Sequence, residues 1–295
     1  SIQDALIKFV YEEVALYELY FGRTFVALIL LICYLKYSNQ KIILKTHYPF
    51  LTIARVICFF FGFSFFYISL TFMSLAEANA LFFSSPFFVS ILATIFLKEK
   101  VGIRRWSAIL VGFVGVFIVL NPDFSNFNYM KLAPVICALC YSISMTITKI
   151  TSDKDNNYTQ LIHLYVGASI ISILFFIFTG KGQFNNFSDP TFQFIFREWG
   201  TNLSFSLPFI IVMGTVATFS FYFVLTAYSI ASPSVVSLYE YSLIIWSILT
   251  GFILFDNIPT LRTFVGVVTI IGAGLYIYMR ERTKEQLIAT DTPNR

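Results

Sequence analysis

The residue with the clearest capacity for chemistry is Glu240, an acid that lies well inside an apolar run between Tyr239 and Tyr241. A charge at bilayer depth costs at least about 2.5–3.5 kcal/mol, so the carboxylate needs a partner or a function. A carboxylate beside aromatic rings suits a cationic or zwitterionic ligand, through charge pairing and cation–π contact. The same carboxylate is a candidate proton site. The alternative is a protonated side chain that only makes hydrogen bonds between helices.

Two arginines, Arg23 and Arg55, also lie inside apolar runs. Because a guanidinium group binds carboxylates and phosphates through a planar fork of donors, either arginine could hold an anionic group of a substrate. The alternative is that they pair with Glu18 or Asp4 and hold the helices together. The sequence leaves both interpretations open.

Further polar and aromatic residues complete the set of candidate substrate-binding residues. Glu77 and Asn79 lie where another apolar run begins, and there they are either entrance residues or part of a helix cap. Aromatic residues make up 19% of the chain, so any single one is also explained by packing or by lipid contact. The aromatic candidates are Tyr67, Phe83, Tyr141, Tyr222, Tyr239 and Tyr241.

The sequence offers little support for enzymatic chemistry. It contains no H-E-x-x-H, G-x-S-x-G or Gly-rich phosphate-binding motif. Its two histidines have no acidic partners nearby in sequence, which argues against a metal site. Cys137 and Cys140 have the spacing of a redox or metal motif but no second pair, so we interpret them as small helix-packing residues. We therefore predict no catalytic residue, no metal and no cofactor.

Composition places the chain in a membrane. Of 295 residues, 57% are apolar and 12% charged, and a soluble protein of this size could not bury so much apolar surface. Apolar runs of about 20 residues indicate helices rather than the short alternating strands of a barrel. The net charge of +4 does not indicate a nucleic-acid partner, because the basic residues lie between the apolar runs.

The apolar runs predict nine complete membrane-spanning helices. Residues 1–10 resemble the end of a further span, and we expect roughly 10–13 residues of that span to be absent. Pro86, Pro134 and Pro208 fall inside predicted spans and are expected to kink or open them. The nine predicted spans are Val14–Tyr37, Pro49–Met73, Ala76–Leu97, Ile103–Leu120, Tyr129–Ile150, Tyr158–Phe178, Ser204–Ile230, Ala231–Phe255 and Pro259–Met279.

The basic residues between the spans predict the orientation of the chain. If the first segment runs outward, thirteen Lys and Arg residues fall on one side and three on the other. Basic residues favour the cytoplasmic side, so the C-terminus is predicted to be cytoplasmic.

An internal repeat organises the predicted spans. Leu70–Gly115 returns as Leu225–Gly272, and both copies begin with Leu-Thr and contain a polar break inside an apolar run. The alignment places Ser85 opposite Glu240. Five spans in each half make the second half inverted relative to the first. We therefore expect an all-α integral membrane protein with two inverted five-helix repeats, at residues 1–122 and 123–280, followed by a cytoplasmic tail at 281–295.

A further pattern runs through Ser69-Leu70, Leu75–Ala80, Pro86–Leu92, Phe96–Arg105 and Trp106–Val116, and more weakly through Asp256–Pro259 and Gly266 with Gly272. This pattern resembles the EamA family of the drug/metabolite transporter superfamily. The resemblance covers essentially the whole chain, and it implies a bacterial inner-membrane carrier of ten helices with a central cavity between its halves. It also implies a polar cargo, since such carriers move amino acids, nucleosides, S-adenosylmethionine and other polar metabolites.

We therefore expect a secondary transporter that moves a small polar metabolite, amino-acid-like and either cationic or zwitterionic, by alternating access. The alternatives are a structural or scaffolding membrane protein and an intramembrane enzyme. The expected partners are the substrate and the lipid bilayer. Proton coupling and facilitated exchange both stay open, as do a monomer and a homodimer.

Overall fold

The computed structural model describes residues 2–98, 102–121, 128–240 and 242–290, and the regular structure within them is entirely helical. The predicted all-α architecture is therefore confirmed. The helices are α1 (Ile2–Val10), α2 (Leu16–Tyr37), α3 (Pro49–Ser69), α4 (Leu75–Phe82), α5 (Ser85–Phe96), α6 (Ile103–Leu120), α7 (Ala133–Thr151), α8 (Asn157–Thr179), α9 (Pro190–Phe196), α10 (Leu203–Ile230), α11 (Pro233–Tyr239), α12 (Ser242–Phe255) and α13 (Leu261–Thr290).

The long helices follow the apolar runs of the sequence. Within the described residues, six helical segments are long and apolar enough to cross a bilayer, if α4 and α5 are taken as one segment and the 3₁₀ turn before α7 is included. Shorter apolar helices occupy the regions of α6, α12 and the first part of α13. Helix α13 continues to Thr290, past the predicted end of its span at Met279.

Two of the predicted spans are broken in the middle. The span predicted at Ala76–Leu97 divides into α4 and α5, with the break at Phe83 and Ser84. Pro86 lies in the first turn of α5, where its missing N–H breaks no helical hydrogen bond. The span predicted at Ala231–Phe255 divides into α11 and α12, with Glu240 at the end of α11.

The other two prolines behave differently from each other. Pro208 lies inside α10, as the sequence predicts. Pro134, which the sequence predicts to kink a span, lies instead in the first turn of α7, after a short 3₁₀ turn at Tyr129–Leu132. A proline in the first helical turn removes no internal bond, so it starts this helix rather than kinking it.

The two broken helices run in opposite directions beside each other. Helix α4 packs against α12, and α5 packs against α11. Helix α3 packs along α7, and α10 packs along α2. These pairings join the first part of the chain to the second, and they are compatible with the predicted inverted repeat.

The buried apolar residues form two main clusters, and the first broken helix belongs to both. The larger cluster is built mainly from α1, α2, α3, α7, α8 and α10 and includes Phe82 of α4. The second cluster joins α4, α5, α6 and α13 and includes Phe83 and Phe87. Because both α4 and α5 contribute residues to each cluster, the boundary between the two cores runs along this broken helix and includes the break.

Helices α6 and α13 approach each other closely at two glycines. A Cβ added to Gly115 would lie 2.9 Å from the carbonyl oxygen of Gly266, and one added to Gly266 would lie 2.9 Å from that of Gly115. Small residues allow such contact between membrane helices, where van der Waals packing supplies much of the association energy.

One end of the bundle is closed by hydrogen bonds between the α2–α3 loop and the α7–α8 loop, here called the Asp155 clamp. The buried Asp155 carboxylate accepts hydrogen bonds from the Thr46 hydroxyl and from the His47 amide at 3.0 Å, and His47 Nδ1 lies 3.0 Å from it. His163 of α8 bonds the Leu44 carbonyl at 2.8 Å. Burial acts to raise the pKa of Asp155, but the bonds from Thr46 and His47 hold it below its usual range.

The opposite end is closed by the segment between α8 and α10, here called the Arg197 clamp. Arg197 donates to the carbonyl oxygen of Tyr11 at 2.9 Å, in the turn between α1 and α2. The Gly200 amide donates to the Glu18 carboxylate at 3.0 Å. Both clamps join the first part of the chain to the second.

The glycine contact makes a direct prediction. Gly115→Ala should destabilise the protein by about 1–3 kcal/mol, because the added methyl group must separate the α6 and α13 backbones. Gly272→Ala is the matched control, since a Cβ added at Gly272 would meet no atom within 4 Å. That change should be neutral or slightly stabilising, because alanine is the better helix former. Apparent melting temperatures of the two purified variants in detergent measure both effects. Equal melting temperatures for Gly115→Ala and Gly272→Ala would contradict the close contact.

The Asp155 clamp predicts a pH-dependent loss of stability. A lowered pKa contributes stability above the carboxyl group's usual pKa, and this contribution disappears as the pH falls through the lowered value. Asp155→Asn should therefore lower the stability by about 1–3 kcal/mol near neutral pH. Its difference from the wild type should shrink as the pH falls below the usual pKa of a carboxyl group and through the lowered pKa of Asp155. Asp153→Asn is the comparison, because its exposed carboxylate accepts a bond from the Tyr48 hydroxyl across the same two loops and, being screened by solvent, should contribute less. A loss of stability in Asp155→Asn that stays constant with pH would contradict the lowered pKa of Asp155.

Candidate functional site

A cavity of about 610 Å³ lies beside the second broken helix. Residues from α1, α3, α4, α7, α10 and α12 line it together with Glu240. Its volume falls in the range of sites that hold small organic ligands. Its wall is largely aromatic, because seven of its lining residues are Phe63, Phe66, Phe82, Tyr141, Phe221, Phe223 and Trp246.

Glu240 provides the principal acid of this cavity. Its Oε1 accepts hydrogen bonds from the hydroxyls of Tyr141 at 2.6 Å and Tyr228 at 3.0 Å. Its Oε2 is buried and has no hydrogen-bond partner in the described part of the chain. The carboxylate is thus held by one oxygen, while the other has no described donor and, because it is buried, must be uncovered before a ligand can reach it.

The helix break explains how the acid reaches this position. Helix α11 ends at Tyr239, and the backbone turns there through bonds from the Glu240 amide to Ser237 and from the Leu243 amide to Glu240. Interrupted helices at membrane depth occur where they are buried in protein or line a cavity. Tyr241, which the sequence also predicts to bind substrate, lies outside the described residues.

The charge on the cavity wall is acidic. Asp4 of α1 lines the cavity together with Glu240, and none of the described lining residues is Lys, Arg or His. Two acids on the wall of one low-dielectric cavity create a negative potential that attracts cations. Aromatic faces add to this attraction, because their quadrupoles are negative at the face.

Arg23 lies behind the cavity and reaches it through a hydrogen-bonded chain. The buried guanidinium of Arg23, only 2% exposed, donates to the Tyr67 hydroxyl and stacks on the Tyr20 ring, 4.6 Å from its centre. Gln3 Nε2 also donates to the Tyr67 hydroxyl at 2.8 Å, and Gln3 lines the cavity. Arg23 and Tyr67 therefore support the wall and do not line it.

Arg55 lies elsewhere, between α3, α7 and α8. It donates to the side-chain and main-chain oxygens of Gln160 and, at 3.4 Å, to the Thr148 hydroxyl. Gln160 in turn donates to the main-chain oxygen of Asp155 at 3.2 Å. These contacts connect Arg55 to the Asp155 clamp. They correspond to the second interpretation of Arg55, in which it holds the helices together, although its partner is the Gln160 amide and not Glu18 or Asp4.

The remaining predicted residues are distributed between the cavity and the scaffold. Asn79 lines the cavity, as do Glu240 and Tyr141. Glu77 forms a capping box with Ser74 at the start of α4, which is the second of its two interpretations. The structure does not bring three aromatic candidates to the cavity wall: Phe83 is buried in the second core, Tyr222 stacks on Tyr158, and Tyr239 is 63% exposed.

Sequence reasoning missed Tyr228, the second donor to Glu240. It lies near the end of α10, in a run with other aromatic residues, and no feature of the sequence distinguishes it from them. Its distance of twelve residues from Glu240 spans a turn between two helices, and only the folded arrangement brings the two together. Gln3 was missed for the same reason.

Comparison with known proteins identifies transporters. The chain matches the sequence model of the EamA-like transporter family over residues 1–121 and 130–279. It is 27% identical to the S-adenosylmethionine uptake transporter of Rickettsia prowazekii over 282 residues, which cover 96% of this chain and 89% of that protein. It is 28% identical to the riboflavin transporter of Rhizobium johnstonii, over 82% of this chain and 74% of that protein.

A solved crystal structure shares the fold. Its sequence is 13% identical to this chain, and the two superpose with a TM-score of 0.66 over 97% of this chain and 98% of the other. At this level of identity the likeness concerns the fold alone.

The hydrogen bonds to Glu240 predict energetic coupling between the acid and Tyr228. Tyr228→Phe should destabilise the protein by about 1–3 kcal/mol, because it removes a donor from a buried carboxylate. In a Glu240→Gln background the same change should cost less, with a coupling energy of about 0.5–3 kcal/mol. Apparent melting temperatures of the four proteins measure this cycle. Tyr222→Phe is the control on the same helix, and additive effects of Tyr228→Phe and Glu240→Gln would contradict the bond.

Proposed function

The chain belongs to the EamA-like transporter family, and we propose that it carries a small organic cation or zwitterion across the bacterial inner membrane by alternating access. A multi-pass membrane transporter of small metabolites, and not an enzyme, is the function that the family and its transporter-named relatives indicate. The proposal adds the charge of the substrate, the binding residues, the mechanism and the membrane.

The observation that carries the proposal is the unbonded Oε2 of Glu240 beside an aromatic cavity. A buried carboxylate oxygen without a donor is costly, and a ligand that brings an ammonium or sulfonium group removes that cost. Asp4 on the same wall increases the negative potential. A simple anion would meet repulsion from both acids, since no described lining residue carries a positive side chain.

The aromatic wall supports a cation with a planar or apolar body. Phe82 and Tyr141 lie 5.4 Å apart between ring centres, close to Glu240, so that the charge and the body of one ligand can be bound together. Asn79 on the same wall offers a polar contact. The relative named for S-adenosylmethionine uptake carries a molecule of this kind, with a sulfonium charge and an aromatic base.

The two clamps support alternating access. Each clamp joins the two halves of the chain at one end of the bundle, and a pathway at that end requires its bonds to break. The excess of basic residues favours the end with the Asp155 clamp as the cytoplasmic one. Proton binding to Glu240 in exchange for the cation is compatible with this arrangement.

The test compares two ligands that differ in one charge. S-adenosylmethionine carries a sulfonium group, whereas its demethylated analogue S-adenosylhomocysteine has a neutral thioether at the same position. Purified protein should bind the cation at least about tenfold more tightly, which corresponds to about 1.4 kcal/mol. In Glu240→Gln protein this preference should fall to near unity. Isothermal titration measures the binding, and uptake into proteoliposomes measures transport.

Riboflavin, which is neutral, distinguishes the principal alternative. Tight binding of riboflavin together with weak binding of both sulfur compounds, each of which also carries an ammonium group, would contradict a cation site. If the wild type and Glu240→Gln protein prefer S-adenosylmethionine to the same degree, Glu240 does not recognise the substrate. Gln193→Glu, which alters a residue of α9 away from the cavity, is the control for unspecific effects of charge.

A further inference from the structure

Two consecutive residues of α7 contact both broken helices. Tyr141 donates its hydroxyl proton to Glu240 at the second break, at 2.6 Å. The single hydroxyl proton of Ser142 is shared between the carbonyl oxygen of Ser85 at the first break, at 3.0 Å, and that of Ala138 on its own helix, at 2.6 Å. Neighbouring residues on a helix point about 100° apart, so adjacent positions of one helix can bind two different elements.

The ring of Tyr141 strengthens this connection. It lies 5.4 Å from the ring of Phe82, the last residue of α4, and Phe82 itself lines the cavity. Tyr141, Ser142 and Ser85 are all buried. Hydrogen bonds and ring contacts therefore run without a gap from the Glu240 carboxylate through α7 to the break between α4 and α5.

The breaks are the parts of these helices that can change shape at low cost. At the first break the Ser84 amide bonds Leu81 three residues back, as in a turn, and the Ser84 hydroxyl bonds the same carbonyl. Packed interiors transmit displacement because they have few voids. The boundary between the two cores passes through this break, so a change in its geometry moves the cores relative to each other.

We propose that Ser142 is a positioning residue that couples the occupancy of Glu240 to the geometry of the break between α4 and α5. A cation at Oε2 weakens the hold of Glu240 on Tyr141, and the displacement of α7 reaches Ser85 through the Ser142 hydroxyl. The consequence for transport rests on the function proposed above, whereas the coupling itself is a property of the bundle without substrate.

Hydrogen exchange of the full-length protein, followed by mass spectrometry without substrate, tests the coupling. The reporters are the amides of Phe83, Ser84, Phe87 and Phe88, which bond across or next to the first break. Glu240→Gln should raise their exchange rates by about threefold or more. In a Ser142→Ala background the same Glu240→Gln change should have no effect on them.

Ser144→Ala is the matched control for this experiment. Ser144 lies on α7 and is fully buried like Ser142, but its hydroxyl has no hydrogen-bond partner in the described part of the chain. The response to Glu240→Gln should therefore persist in the Ser144→Ala background. An unchanged response in Ser142→Ala protein, or no response of the first break to Glu240→Gln, overturns the proposal.

Transport kinetics separate positioning from a merely structural role. Ser142→Ala should lower the maximal rate of cation uptake by about fivefold or more while the binding constant stays unchanged. Ser142→Thr, which keeps a hydroxyl at this position, should restore part of the rate. A loss of affinity at an unchanged maximal rate contradicts the coupling. Absence of cation transport by the wild type contradicts the proposed function alone, because hydrogen exchange still decides the coupling.

Discussion

An acid inside an apolar bundle needs donors, and the arrangement around Glu240 follows from that requirement. In water a carboxylate is solvated on both oxygens, but at membrane depth each bond must come from the protein or from a ligand. Tyr141 and Tyr228 supply bonds to one oxygen only. The break between α11 and α12 allows the acid to lie between these hydroxyls and the cavity. The break between α4 and α5 allows the neighbouring helix to change its backbone geometry in the same way.

The division of the core has a consequence for how the bundle can move. The larger core contains most of α1–α3, α7, α8 and α10, and the second contains α6 and α13 with parts of α4 and α5. These groups do not coincide with the two halves of the sequence. Rocking of one predicted repeat against the other would disrupt both cores, whereas motion along their boundary leaves each of them packed. The glycine contact between α6 and α13 keeps the second group together.

Features that depend on local sequence could be predicted well, and features that depend on helix rotation could not. Apart from the C-terminal end of α13 and the two breaks, the helix bounds agree with the apolar runs to within a few residues, because length and hydropathy are local properties. The cost of a buried charge pointed to Glu240 without any structure. Among the aromatic candidates, the structure places Tyr141 on the cavity wall and does not place Tyr222 there. A near-uniformly apolar helix carries no pattern that says which side meets a cavity. For that reason the sequence did not predict that Tyr228 and Gln3 belong to the site.

The two clamps are built from different chemical groups, and this has a kinetic consequence. One depends on a buried carboxylate that holds a neighbouring loop, and the other on an arginine bound to main-chain oxygens. Under the alternating access proposed above, unequal bonds break at unequal cost, so the empty carrier would rest with one mouth open more often than the other. For a passive carrier the gradient alone sets the direction of net flow. The substrate concentration that half-saturates such a carrier would, however, differ between its two faces, so that one face would respond to scarce substrate and the other would saturate only with abundant substrate.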